Sequence, residues 1–524
     1  MSYVIGVDIG TQSTKALLTA TDGRILAQAS VGYQVEQPRP MWAEQWPEVW
    51  LEAVYQSTAE AIQSAGVMPS DIKAICVSSL YGGSGIPVDS EIKALHPCLI
   101  WMDRRSNEEV EWVRQHIDME HLQQVTGNGV DSYYGYTKML WLKHKQPEVW
   151  SRTRYLLPPN SYVQYHLTGE LAVDHSSAGN IGGIYDISSR TWSVSMLNAL
   201  GIDPELMPSR LVESNEIVGR LLPDAANRLG LLPGTPVVAG GVDAAMATLA
   251  AGVVESGNHV AMIGTSMCWG FVNKQTDARN GLISMPYVHN ASEDLYIFGG
   301  AITAGASVSW FRDQFCSAEQ QAASLLPEID VHELMELGAA KTPAGADGLL
   351  FLPYLMGERS PVWDAKASGA FVGLTLYHSK AHLYRAVLEG LTFALRHNME
   401  CGKLGAISLD PELIVVGGAA SSDLWMQLIA DITGYPVLTI EQEVEAPLGG
   451  ALLAALAIGE IASINEIHNW RTLESRAVPD PANKVMYDHM FEQYCDIYQA
   501  LKPNMHALSH RQGLLSNDSR QAEP

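Results

Sequence analysis

A short pattern occurs twice in this chain, half a length apart: an apolar strand, a turn of glycine, threonine and further hydroxyls, then a second strand. The first copy is the run YVIGV at 3–7, closed by Asp8, Gly10 and Thr11 and resumed at 16–18. The second is HVAMI at 259–263, closed by Gly264, Thr265 and Ser266 and resumed at 269–272. Short β-branched apolar runs read as buried strands, and glycine turns let backbone N–H groups approach an anion closely. Two such hairpins, each opening a domain-sized segment, predict a duplicated α/β fold with a nucleotide between its halves. Unrelated hairpins would need turn residues but no hydroxyls in the turns.

The chain has 524 residues, which is too many for one core. The expected division is a first domain over 1–245, a second over 246–480, and a final helix and tail over 481–524. Asp22-Gly23 marks a turn into a third strand. Helical spacing runs over 47–65, with Pro47 in the first turn. A strand follows at 73–78, mostly helical sequence at 104–145, and alternating helices and loops at 155–230. A strand at 235–241 ends in glycines just before Asp243. A third glycine loop, VVGGAASS at 415–422, leaves a strand and opens a helix. A last helix is expected over 484–502, with a mobile polar tail from about Ser509.

Basic residues number 33 and acidic residues 58, a net charge of −25. That field repels nucleic acid and anionic membrane, so phosphate must be held by local backbone donors. The apolar run 448–459 is too short to cross a bilayer and predicts a buried helix. Six cysteines show no Cys-x-x-Cys spacing and read as reduced thiols. With no basic leader at the N-terminus, a soluble cytoplasmic protein is expected.

The first turn, VDIGTQSTK at 7–15, has the makings of a phosphate cradle: Gly10 for close approach, hydroxyls on Thr11, Ser13 and Thr14, and a charge on Lys15. Asp8 is placed to hold hydrated Mg²⁺, which favours one or two carboxylates plus phosphate oxygens. A glycine hairpin with a surface aspartate is the plainer alternative. Asp243, before a helix, is either an N-cap or a base that accepts a hydroxyl proton. Gly417 to Ser421 either lets an adenosine lie against bare backbone or simply turns the chain. No G-x-x-x-x-G-K-[ST] motif occurs, which argues against a P-loop enzyme.

At these residues the sequence resembles the FGGY family of carbohydrate kinases, from Tyr3 to about Gly459. The three glycine loops carry the resemblance, together with FLPYLMGERSP at 351–361, GAFVGL at 369–374 and HLYRAVLE at 382–389. The resemblance implies a two-domain, ribonuclease-H-like fold of the actin, hexokinase and Hsp70 ATPase superfamily with a central cleft. It implies ATP and Mg²⁺ as cofactors, a small sugar as partner, and a homodimer as a family-level expectation. It places Asp8 on Mg-ATP with Asp243, Thr11, Ser13 and Thr14 on the phosphates, and Asp243 as catalytic base. Gly264 and Thr265 resemble the second phosphate loop, Gly305 a nucleotide-side glycine, and Gly417, Gly418 and Ser421 the adenosine site. Trp101, Asp103 and Tyr133 occupy sugar positions; Trp310 and Trp425 read as packing residues.

The departure is the loop SLYGGSG at 79–85, where Tyr81 and Gly82 stand in place of the Met-His-Gly of bacterial xylulokinases and the Arg-Glu of glycerol kinases. Without those donors the site should discriminate differently. Glycerol is disfavoured and a pentulose such as xylulose is the expected acceptor, with ribulose, ribitol and erythritol as alternatives. A non-catalytic sugar sensor would have no need of Asp8 and Asp243. An Hsp70- or actin-like ATPase with a protein partner would have no need of the signature at 369–389.

Overall fold

A computed structural model describes residues 2–326, 328–404, 407–441 and 445–518. The first sheet contains β1 (Tyr3–Ile9), β2 (Ser13–Ala20), β3 (Ile25–Gly32), β4 (Ile72–Ser79), β5 (Ile217–Arg220) and β6 (Pro236–Val238), in the order β5-β6-β4-β1-β2-β3. β1, β2 and β3 form an antiparallel meander, β1, β4 and β6 run parallel, and β5 closes the edge antiparallel to β6.

The second sheet repeats this plan. It contains β7 (His259–Ile263), β8 (Met267–Asn273), β9 (Ile283–Pro286), β10 (Leu295–Gly299), β11 (Leu413–Val416), β12 (Val437–Ile440) and β13 (Leu473–Ala477). The order is β9-β10-β8-β7-β11-β12-β13. The meander is now β7, β8 and β10, the parallel strands are β7, β11 and β12, and β13 is the antiparallel edge. β9 is an addition beyond the repeat. The two hairpins found in the sequence therefore head two sheets of like topology.

β1 is apolar almost throughout because both of its faces are covered, as in other parallel sheets sandwiched by helices. The helix Pro47–Ala65, with proline at its first turn and Gly66 in the left-handed region at its end, packs on β2 and β3. The helix Ala446–Ala457 packs on β1 and β4 and against the helix Asp243–Ala250. These contacts are backbone to backbone. A Cβ on Gly6 would lie 1.8 Å from the Pro447 carbonyl oxygen, and one on Gly449 would lie 2.3 Å from that of Met246. By chain position this helix belongs with the second half, yet its packing surface is the first sheet.

The C-terminal helix spans Lys484–Asp518, well past the expected end near residue 502, so the segment after Ser509 expected to be mobile is helical as far as Asp518. Residues 519–524 of that expected tail lie outside the described residues. The polar sequence hid a sparse stripe of anchors: Tyr487, Tyr494, Tyr498 and Met505 recur at helical spacing and are buried. Tyr494 and Tyr354 share a hydroxyl hydrogen bond at 2.8 Å, and Tyr498 and His506 both reach Asp364 Oδ2, at 2.8 and 2.7 Å. Among the described residues no helix is long and apolar enough to cross a membrane.

Gly6→Ala should cost about 3 kcal/mol or more, because an overpacked core must move backbone rather than a side chain. Gly129→Ala, whose Cβ would meet nothing within 4 Å, should stay within about 0.5 kcal/mol. Equal melting temperatures for the two variants would refute the backbone contact.

Candidate active site

Three regions carry the residues picked out in the sequence. The first is a cavity of about 360 Å³ lined by Asp8, Gly10, Ser13, Lys15, Asp243 and Glu445, among others. Asp8 sits near the end of β1, in register with Lys15 on β2 and Ser78 on β4. The Ser78 hydroxyl donates to Asp8 Oδ1 at 2.8 Å. Asp243 opens its helix, and Oδ1 accepts from the Ala244 N–H at 2.7 Å. Burial raises both carboxyls above the usual carboxylate range, and the Asp8 charge pushes Asp243 further in the same direction.

Strand alternation separates the three hydroxyls expected on the phosphates. Ser13 and Lys15 line the cavity. Thr14 points the other way: it is fully buried and its hydroxyl is 3.1 Å from that of Tyr33, which corrects its placement on the phosphates. Lys15 forms an ion pair with Glu445, a partner the sequence does not reveal. The Thr11 hydroxyl accepts from Trp101 Nε1 at 3.1 Å, joining the turn to the expected sugar-facing tryptophan.

The second region is a cavity of about 890 Å³ in the other half, whose lining includes Gly264, Thr265, Gly305, Gly418 and Ser421. The Gly305 N–H donates to the Gly264 carbonyl at 2.8 Å, and a Cβ on Gly305 would come within 2.6 Å of that oxygen. Gly417 has φ +94° and packs so close to β7 that a Cβ would lie 2.7 Å from the Ile263 carbonyl oxygen. Both positions require glycine. The Ser421 hydroxyl donates to the Gly418 carbonyl at 2.8 Å. Trp425 is buried and its Nε1 donates to Thr392 Oγ1 at 3.2 Å, while its edge and Trp310 also form cavity wall, a role beyond the packing expected of them.

The third region joins the halves. The Tyr81 and Tyr133 rings lie 5.0 Å apart. The Tyr81 hydroxyl accepts from the Gly135 N–H at 2.5 Å, so it is occupied at the start of the helix Gly135–Lys145. The Tyr81 ring supplies wall to this region, and its O–H proton is left to donate. The Gly82 carbonyl accepts from the Cys98 thiol at 2.7 Å, and a Cβ there would strike the Pro159 ring. Tyr133 is buried, and its carbonyl accepts from Lys138 Nζ at 2.8 Å. From the second half, the Arg359 guanidinium lies 5.8 Å from the Tyr133 ring centre and Trp363 stacks on Tyr134 at 5.8 Å.

Asp103 does not face this region. It is fully buried and accepts from the Ala43 N–H at 2.6 Å and from Arg105 N–H and Nε at 3.0 and 2.8 Å. A carboxylate with no exposed surface, committed in this way, holds two loops together, so its expected role is corrected to a structural one. The residues missed by sequence reasoning are Ser78, Glu445, Asn180, Arg359 and Trp363. The last two lie in or beside the segment 351–361, which was read as a signature without a role.

Two sheets of like topology, with paired carboxylates on one side and a glycine-lined cavity on the other, define a phosphotransferase of the actin, hexokinase and Hsp70 ATPase type. The chain belongs to the FGGY family of carbohydrate kinases: residues 3–250 match the family's N-terminal domain and residues 259–458 its C-terminal domain. It is 32% identical to a xylulose kinase of Bacillus subtilis over 96% of this chain and 98% of that protein. It is 30% identical to a gluconokinase of Bacillus licheniformis over 98% of this chain and 99% of the other. The structure of a ligand-bound xylulose kinase from Lactobacillus acidophilus superposes with a TM-score of 0.87 at 27% identity, covering 96% of this chain and 99% of that one. The chain is thus a sugar kinase, an enzyme of a family that uses ATP.

Burial holds the Lys138 ammonium down to about 7 from its usual 10.5. The folded state then releases a proton that the unfolded state keeps between about pH 7 and 10.5, so this group makes stability rise with pH in that window. Relative to Lys138→Met, the wild type should gain on the order of 2 kcal/mol between pH 7.5 and 9, at ~1.4 kcal/mol per pH unit. Parallel urea-unfolding profiles for the two proteins would mean that folded Lys138 keeps its proton across this window, and would refute the burial-depressed ammonium.

Proposed function

We propose that this enzyme transfers the γ-phosphoryl group of ATP to a hydroxyl of a small open-chain sugar, with a pentulose such as xylulose as the first reading. The observation that carries it is the pair of carboxylates, Asp8 and Asp243, sharing one cavity at the mouth of the first phosphate turn. The named relatives support the acceptor class. Gluconate is a second reading, favoured by the positive charge of Arg359 beside the Tyr133 pocket.

The donor set suits Mg²⁺. Two like-charged carboxylates with raised pKa values favour a divalent cation between them. Among the described residues no group of three or more His, Cys, Asp or Glu could hold a metal, which fits an ion that keeps waters and phosphate oxygens as its other ligands. When bound, Mg²⁺ neutralises charge on the phosphates. The chain's own part is to position and to take a proton. The Gly10 and Gly264 N–H groups close their own turns, each donating at 2.9 Å, to the Ser13 and Ser266 carbonyls, and the hydroxyls of Ser13 and Thr265 would hold the phosphates from the two sides, with Lys15 as the nearest side-chain cation. Gly305, Gly417, Gly418 and Ser421 would leave room for the adenosine. Asp243 would accept the acceptor's hydroxyl proton as its oxygen bonds to phosphorus and the bond to ADP breaks. Its burial-raised carboxyl, once ionised, is a stronger base than an ordinary aspartate. Tyr81, Gly82, Trp101 and Tyr133 would wall the acceptor pocket, excluding water that competes as a nucleophile.

Asp243→Ala should lower turnover by roughly 10²–10⁴-fold, the usual range for a general base, while ATP affinity is kept. Turnover within threefold of wild type would remove Asp243 from this role. ADP release should also depend on the sugar across a panel of pentuloses, hexuloses, aldonates, pentitols, erythritol and glycerol. Binding of ATP with no sugar-dependent ADP release from any of them would favour the sensor over the kinase, and ADP release independent of sugar would favour an ATPase.

A further inference from the structure

The backbone on both sides of Arg359 is tied down by hydrogen bonds. Glu358 Oε1 accepts from the backbone N–H groups of Ile302 and Arg359 at 3.0 and 2.8 Å. Ser360 Oγ accepts from the Gly300 N–H at 2.8 Å. Glu358 and Asp364 exchange both backbone hydrogen bonds, at 2.9 and 3.0 Å, and the Trp363 N–H donates to the Arg359 carbonyl at 2.6 Å. So anchored, Arg359 reaches from the second half of the chain to the ring of Tyr133 in the first. Its Nε is buried and makes no hydrogen bond, and among the described residues its guanidinium forms no ion pair.

The same tyrosine meets a second unspent group. Asn180 ends the helix His175–Asn180, is fully buried, and lies against the Tyr133 hydroxyl. Neither its Oδ1 nor its Nδ2 has a partner of ordinary hydrogen-bond geometry among the described residues. Two unsatisfied groups on one aromatic wall cost free energy unless a ligand satisfies them. They are also set apart from the chemistry: the cavity that holds Asp8 and Asp243 is not lined by Arg359, Asn180 or Tyr133. An acceptor that presents one hydroxyl to Asp243 would present its other end here.

We infer that Arg359, together with Asn180, reads an sp² oxygen at the end of the acceptor remote from the transferred phosphoryl group, either a ketose carbonyl or a carboxylate. A planar guanidinium fork is suited to such an oxygen. A polyol hydroxyl is neutral and tetrahedral, and it offers the fork a weaker and less planar acceptor than a carboxylate or carbonyl oxygen does. This deepens the kinase reading and rests on it: the acceptors are ketoses or sugar acids, and the matched alditols are rejected.

The test is kcat/KM for wild type, Arg359→Gln and Arg359→Lys with D-xylulose, xylitol and D-gluconate, after equal ATP affinity has shown the variants to be folded. The wild type should prefer a carbonyl- or carboxylate-bearing acceptor over xylitol by at least about tenfold. Arg359→Gln should cut that preference by roughly 10–100-fold, the worth of one charge-assisted hydrogen bond, with lysine restoring part of it. A steeper loss on gluconate identifies a carboxylate as the group read, and a steeper loss on xylulose a ketone. An equal loss on xylitol would overturn the inference, because Arg359 would then serve the phosphoryl group shared by all acceptors; so would an unchanged preference. Absence of turnover with every acceptor would sink the kinase reading instead. In that case the thermal shift given by xylulose or gluconate alone still decides, since it should vanish in Arg359→Gln and its persistence there would overturn the inference.

Discussion

Two backbones meet directly at the centre of the first sheet. Gly6 on β1 faces the Pro447 carbonyl, and Gly449 faces that of Met246, with no side chain between them. This draws the helix Ala446–Ala457 into contact with the strand that ends at Asp8 and with the helix that begins at Asp243. The distance between the two carboxylates is therefore set by three packed elements drawn from opposite ends of the chain. Interiors packed this densely are hard to deform, which is the right property for a site that must hold like charges together. The same helix begins beside Glu445, the partner of Lys15.

The electrostatic design divides along the cleft. On the first sheet the aspartates are half-buried, one hydrogen-bonded by Ser78 and the other by the first turn of its own helix. On the second sheet the glycine turns that line the cavity carry no charged side chain of their own, and Gly305 and Gly264 meet there backbone to backbone. One side can thus manage protons and a cation while the other supplies shape and N–H donors. Arg359 belongs to neither set: it is carried by the second half but directed at a tyrosine of the first.

What the sequence disclosed follows from locality. β1 and β7, with their turns, were legible because each is a short continuous run whose composition states its role. The buried helix over 446–457 was legible for the same reason, since a run of leucine, alanine and glycine has no other soluble use. Thr14 was misassigned because a motif names a hydroxyl without the strand parity that turns it inward. Asp103 was misassigned because its three hydrogen bonds come partly from Ala43, sixty residues earlier. Asn180 and Glu445 sit in segments with no motif, and only the fold brings them to their partners. The C-terminal helix was cut short because its apolar anchors are spaced too sparsely among polar residues to register as a stripe.

That helix bears on how the enzyme is made. Tyr494, Tyr498 and His506 grip Tyr354 and Asp364, the two ends of the loop that carries Arg359. Every strand of the two sheets precedes this stretch of helix in the chain, the last of them, β13, ending at Ala477. A nascent chain can therefore pair its last strand before the loop that carries Arg359 is fastened at both ends. A chain cut before Tyr494 would keep every strand of both sheets and lose both fastenings.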